Sequence, residues 1–353
     1  MASKRIFPKQ VGVLGAGSFG TAVANLLAHN ADVLLYVRRP AAAATMCQTR
    51  RAGGQRLAPN VVPTSDLGAV AAQCTVLFPI VPAAAFRALM QQLAPALTPD
   101  HVLIHGTKGL DVRWPPGAAT GALPALTRGD VRTMSEVILA ESQVHQVGCL
   151  AGPNLASELA QGQPAATVVA SPLAAVLAQG QRLLRSGRLQ VHSSPDLLGV
   201  ELCGVFKNIL AIGAGCLGGL GYGENMKGFL LSSGLAEMVC LGQVMGAGVR
   251  PFFGLAGVGD LVATCASSSS RNYTVGYRLA QGTPPGVLLE DTTVTAEGIA
   301  TVRTVHSLVH HYQLQAPITA ALYRVLFEGL AVPAAIRHLM QCPPRADAAF
   351  SAC

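Results

Sequence analysis

The chain has 353 residues, half of them hydrophobic and 12% charged, with a formal net charge of +7. That length accommodates two domains, each with its own core, and that composition excludes a disordered or solvating chain. The positive balance is no nucleic-acid footprint, because the basic residues are scattered and aromatics make up only 5%; a small phosphorylated ligand accounts for it at least as well.

Nine cysteines show no C-x-x-C pair and no regular spacing, so neither a disulfide framework nor a zinc site is expected, and a reducing, cytoplasmic compartment is. Near the start, Pro8, Lys9 and Gly12 interrupt the apolar segment that a signal peptide needs. No run approaches ~18 uninterrupted apolar residues, so no membrane span is expected.

In chain order, Val11 to Leu14 is a short apolar run that leads into Gly15-Ala-Gly17-Ser18-Phe19-Gly20, a helical pattern from Thr21 to His29, and a second strand from Asp32 to Val37. Strand, G-x-G-x-x-G, helix, strand is the context of a dinucleotide fingerprint. Gly15 makes the tight turn, Gly17 lets backbone approach a pyrophosphate, Gly20 permits close helix packing, and the helix N-terminus faces the phosphates. After the second strand, where an acid would hold a ribose 2′-hydroxyl, the chain reads Tyr36-Val37-Arg38-Arg39. Two arginines and no acid favour a 2′-phosphate, hence NADP(H), with NAD(H) possible.

Further apolar runs alternate with helical patterns: Thr75 to Val81, Ala83 to Leu93, His101 to Gly106, then strands at Val147 to Leu150, Ala166 to Ala170 and Arg188 to His192. This alternation predicts a doubly wound parallel sheet with helices on its faces. Lys108 follows a strand end, where ligands of such sheets bind; the bland alternative is a solvated loop lysine. Residues 113 to 130, rich in proline, glycine and alanine, read as a surface loop containing the only tryptophan, and Ser135 is expected to cap a helix through Glu141. Gly152, Asn154 and Ala156 lie where a strand ends and a helix opens, a place for an anion or a carboxamide, or for ordinary capping by Asn154. The sheet ends near Ser194, giving domains 1–194 and 195–353.

The remainder reads as helical. In Gly199 to Gly215, Leu202, Val205, Ile209 and Ile212 form an apolar stripe, and Lys207 lies off it among small residues. It is either a snorkelling lysine or a cleft lysine with a lowered pKa. A long helix is expected from about Met226 to Met245. Gly254 to Leu261 sets Asp260 in an apolar, glycine-flanked stretch, and a serine run precedes Arg271-Asn272. Thr295 to His311, Pro317 to Phe327 and Val332 to Met340 read as helices. His310 and His311 are adjacent and point apart, so no metal site is expected.

The motifs GAGSFGTAVA, GTKGL, AGPNLASELAQGQPAA, GVELCGVFKNILAIGAG, GLAEM, GLAGVGDLVATC and SRN, in this order, resemble the bacterial-type NAD(P)-dependent glycerol-3-phosphate dehydrogenase family over about Val11 to Met340. The resemblance implies a Rossmann-type sheet domain followed by an all-helical domain, reversible hydride transfer between glycerol 3-phosphate and dihydroxyacetone phosphate, and a homodimer. It implies Lys207 as proton donor or acceptor with Asp260 tuning it, and Lys108, Gly152, Asn154, Ser270, Arg271 and Asn272 as substrate contacts. Gly15, Gly17, Ser18, Phe19, Gly20, Arg38, Arg39, Lys108, Ala156, Arg271 and Glu297 would contact the cofactor. A lysine tuned to a pKa of ~7 or 8 suits such proton exchange; desolvation lowers it and a neighbouring Asp260 raises it. The chain departs from the family at Ser233, where an arginine is usual, at Asn154-Leu155, in a shortened Gln48 to Pro59 segment and in an inserted 113 to 130 loop. The competing readings are a dehydrogenase of another small hydroxy acid and a non-catalytic NADP(H)-binding sensor.

Overall fold

The computed structural model describes residues 10–115, 123–290 and 297–342. The signal-peptide reading at the chain start, the middle of the 113 to 130 segment and the start of the helix expected at Thr295 lie outside them.

The apolar runs of the first half form strands β1 (Gln10–Leu14), β2 (Asp32–Tyr36), β3 (Val61–Thr64), β4 (Val76–Pro79), β5 (Val102–His105), β6 (Gln146–Ala151), β7 (Ala165–Ala170) and β8 (Leu189–Ser194). They join in one sheet of order β8-β7-β6-β5-β4-β1-β2-β3. Alternate residues enter opposite cores: Val11, Val13, Val33, Leu35, Val76, Phe78, Val102 and Ile104 on one side, Leu14, Leu34, Leu77 and Leu103 on the other. Burial on both faces is why these strands read as continuous apolar runs. Two features differ from the sequence expectation. The sheet is mixed, because β6 and β7 pair antiparallel with Leu150 opposite Val169; their connection holds only the five-residue helix Ala156–Ala160, too little for a parallel crossover. Strand β3 was not expected: it is four residues long, contains Pro63 and lies at the sheet edge, where a missing N–H is tolerated.

Packing divides the chain into a sheet unit, Met1–Thr107 with Met134–Leu197, and a helical unit, Lys108–Thr133 with Leu198–Cys353. The sheet domain drawn as a continuous 1–194 is thus interrupted. The stretch read as a surface loop begins and ends in a short hairpin pairing Asp111 with Arg132 and Val112 with Val131. Thr127 and Asp130 form a reciprocal cap, Leu126 is fully buried and donates its N–H to Ser307 Oγ at 2.9 Å, and the Arg303 guanidinium lies 4.7 Å over Trp114. An anchored apolar side chain inside a proline- and alanine-rich stretch gives no periodic signal. Nor does Ser135 cap its helix, which starts at Met134; the buried Ser135 hydroxyl lies 3.2 Å from His105 Nε2.

The helical unit is built on α2 (Leu197–Gly219), α3 (Glu224–Val244), α4 (Asp260–Ala266), α5 (Arg271–Ala280), α6 (Glu297–His311), α7 (Pro317–Phe327) and α8 (Val332–Met340), numbering as α1 the fingerprint helix Ser18–Leu27 of the sheet unit. Helix α2 is no amphipathic surface helix: every residue from Gly199 to Leu217 is buried. By length and composition it could cross a membrane, but 89% of its most apolar window is buried inside the protein, as in the central helix of a packed unit. Glycines let α5 cross it backbone to backbone. A Cβ on Gly276 would collide with the Ile212 carbonyl, and one on Gly215 with the Tyr273 carbonyl. Helix α3 contributes the buried Glu237, whose carboxylate accepts from the N–H groups of Ile318 at 2.6 Å and Thr319 at 3.1 Å and from Thr319 Oγ1 at 2.8 Å. An anion thereby satisfies open donors at the start of α7.

Candidate active site

In the sheet unit, the chain turns out of β1 at Gly15, whose φ is +126°. A Cβ there would strike the Ile80 carbonyl, whereas around Gly17 nothing lies within 4 Å of where a Cβ would stand. The turn is therefore tight at Gly15 and open at Gly17, with Ser18 beginning α1. This open backbone at a helix N-terminus fits a pyrophosphate. Phe19 is half-buried, and Gly106 leaves room for its ring, since an added Cβ would approach Phe19 Cε1 to 3.1 Å. Arg38 and Arg39 are exposed, and Arg39 sits just before helix Pro40–Thr49, whose first turn carries no acid. At the end of β6, Gly152 has φ +126°. Asn154 does not cap: its amide donates to Thr167 Oγ1 at 2.7 Å, and that hydroxyl donates to the Ala151 carbonyl at 2.8 Å. Ala156 opens the short helix that follows.

In the helical unit, Lys207 is 5% exposed and Asp260 1%. Lys207 Nζ donates to Asp260 Oδ1 at 2.5 Å and to Thr264 Oγ1 at 2.6 Å. Lys108 Nζ donates to Asp260 Oδ2 at 2.7 Å, so each carboxylate oxygen holds one ammonium group. The snorkelling reading of Lys207 and the solvated reading of Lys108 both give way to this network. Asp260 does not cap a helix either; a π-helical turn, Leu255–Gly259, delivers it to the first position of α4. Thr264 was not singled out from sequence. It lies one helical turn after Asp260, on the same face, and that spacing was the available signal.

Burial brings the Lys207 pKa down to about 7; the Asp260 carboxylate pulls it up and the Lys108 ammonium pushes it further down. Burial by itself would raise Asp260, but the ammonium groups of Lys108 and Lys207 outweigh it and hold the carboxyl below its ordinary range. The result is an ionised carboxylate beside an amine that exchanges its proton near neutrality.

Arg271 is exposed at the first position of α5. Ser270 caps that helix, its Oγ accepting from Tyr273 N–H at 3.3 Å. Asn272 is buried and accepts from Gly298 N–H at 3.0 Å, which ties the start of α5 to the start of α6, where Glu297 stands half-buried. Ser270 and Asn272, two of the expected substrate contacts, are thus also structural, and Arg271 presents the open cation.

A predominantly parallel sheet with an open glycine turn, in a chain that also buries a lysine with a lowered pKa against a carboxylate, has the equipment of a nicotinamide-dependent dehydrogenase. The comparisons narrow that class. Residues 10–176 match the N-terminal domain of NAD-dependent glycerol-3-phosphate dehydrogenase and residues 196–337 its C-terminal domain. The chain is 37% identical over 348 residues to a glycerol-3-phosphate dehydrogenase [NAD(P)+] of Ectopseudomonas mendocina, covering 96% of each chain. It is 35% identical over 340 residues to one of Staphylococcus aureus, covering 94% of this chain and 98% of the other. The crystal structure of glycerol-3-phosphate dehydrogenase from Coxiella burnetii superimposes with a TM-score of 0.84 at 30% identity, over 95% of this chain and 100% of that one. The chain belongs to the NAD(P)-dependent glycerol-3-phosphate dehydrogenase family.

Proposed function

We propose that the chain reduces dihydroxyacetone phosphate to sn-glycerol 3-phosphate with NAD(P)H, reversibly, and that the product feeds phospholipid synthesis. The observation that carries this reading is Lys207, buried and held by Asp260 and Thr264 with a pKa of about 7. When bound, NAD(P)H supplies the hydride to C2, so the proton for the C2 oxygen has to come from the protein. An ammonium group has three N–H bonds and a neutral amine two plus a lone pair. Asp260 and Thr264 take two N–H bonds, leaving the third position to donate a proton to the substrate oxygen during reduction, or to accept one during oxidation. Asp260 stays ionised throughout and fixes the amine.

Arg271, exposed beside the capped start of α5, suits a phosphate, which favours this substrate over a hydroxy acid without one. Gly152 and Asn154, with Lys108, Ser270 and Asn272, are assigned to the substrate, and Ala156 and Glu297 to the cofactor. The arginines after β2 support NADP(H) over NAD(H). A cytoplasmic site is part of the reading on the irregular cysteine spacing alone; Cys47, Cys74, Cys149, Cys203, Cys216, Cys265 and Cys342 are free thiols, whereas Cys240, against the expectation of no disulfide, is disulfide-bonded. A homodimer is part of the reading and is tested by sedimentation velocity.

The decisive assay follows NADPH oxidation on addition of dihydroxyacetone phosphate. Turnover is expected, and Lys207→Ala should lower kcat by roughly 10²–10⁴-fold; no turnover by the unaltered protein would defeat the reading. Arg271→Ala should act mainly on KM, and an unchanged KM would remove its phosphate role.

A further inference from the structure

The chain follows helix Pro40–Thr49 with two adjacent arginines that the fold treats differently. Arg50 has a positive φ of 52°, and its guanidinium is spent on structure, donating to the carbonyls of Val61, Ala58 and Pro59. Arg51 is exposed; its guanidinium makes one long contact, 3.5 Å to the Gly54 carbonyl. It begins a two-residue hairpin in which Arg51 pairs with Arg56 and Ala52 with Gln55.

That hairpin is bolted to the fingerprint. Gln55 Nε2 donates to the Ser18 carbonyl at 2.7 Å, Asn25 of α1 donates to the Arg56 carbonyl at 2.9 Å and accepts from Ala58 N–H at 2.9 Å. A Cβ on Gly53 would come within 2.8 Å of Ser18 Cα. Arg51 is therefore held in fixed register with the glycine turn. Between the hairpin and the first turns of helix Pro40–Thr49 lies an open cavity of about 610 Å³, lined by Arg39, Ala41, Thr45, Arg51 and Gly53 among others. Arg38, the other arginine expected to bind the cofactor, does not line it. The cavity has a cation on each side, a helix N-terminus with no acid in its first turn, and lies just past the end of β2, where the ribose of a dinucleotide falls.

We infer that Arg51, paired across this cavity with Arg39, is the residue that discriminates for a ribose 2′-phosphate. The inference rests on the NADP(H) reading and adds its second, non-adjacent cation. Guanidinium groups on two sides of the cavity can each fork onto phosphate oxygens.

The test is calorimetric titration of the full chain with 2′,5′-ADP and with 5′-AMP. The unaltered protein should bind 2′,5′-ADP at least tenfold more tightly; equal dissociation constants would defeat the NADP(H) reading itself. Arg51→Gln should lose about tenfold for 2′,5′-ADP, flatten its salt dependence and leave 5′-AMP within about twofold. If the unaltered protein discriminates and Arg51→Gln discriminates equally, the assignment of Arg51 is overturned while the reading stands. Arg51→Lys, which keeps the stem and the charge but not the fork, should fall between the two. If Arg51→Gln weakens both ligands equally, the hairpin shapes the site without reading the phosphate, which also overturns the assignment.

Discussion

At the scale of the residue, the question is what sets the Lys207 proton. Burial lowers its pKa, Lys108 lowers it further and Asp260 raises it, with a net value of about 7. Reduction needs the charged form, so kcat/KM for dihydroxyacetone phosphate should fall above about pH 7, and oxidation should fall below it. The two neighbours predict opposite displacements. Lys108→Met should move that limb to higher pH, and Asp260→Asn should move it to lower pH. pH-rate profiles of both variants test this, and shifts in the same direction would refute the arrangement. The linkage sign is also fixed. An unfolded lysine keeps its proton to its ordinary 10.5 while the folded one releases it near 7, so between these values the unfolded state binds more protons and stability rises with pH. Lys207→Met should lose that rise in urea titrations.

At the scale of the element, the carboxylate of Glu237 is bonded at the N-terminus of α7 by three donors. Glu237→Gln removes the charge and about one acceptor, and should cost roughly 1–3 kcal/mol in urea unfolding, leaving KM unchanged; a neutral effect on stability would show that the cap is dispensable. This element also marks what sequence conveys. The fingerprint, Pro317–Phe327 and Val332–Met340 were readable because local periodicity and glycine spacing are written in consecutive residues. Lys207 and Asp260 stood out as isolated charges in apolar runs, because burying a charge requires a partner. The partnership of Glu237 with Thr319, 82 positions on, left no local trace. Neither did the antiparallel turn into β7, nor the hairpin carrying Arg51, two residues per strand and without an apolar pattern.

At the scale of the whole molecule, ligand binding should register as stability. NADPH at about 100 times its dissociation constant should add about 2.7 kcal/mol, and NADH at the same concentration less, as read from calorimetric unfolding; equal shifts would argue against a 2′-phosphate site. The excursion from Lys108 to Thr133 has a further consequence, in time. A ribosome delivers Lys108 while its carboxylate partner Asp260 is still 152 residues away, a wait of roughly 8–30 s at ordinary synthesis rates. Leu126 must wait longer for Ser307, 181 residues on. A sheet that closes as it emerges would do so with Lys108 and Leu126 still without these partners, and the Lys108–Asp260–Lys207 network is assembled only once most of the protein has been made.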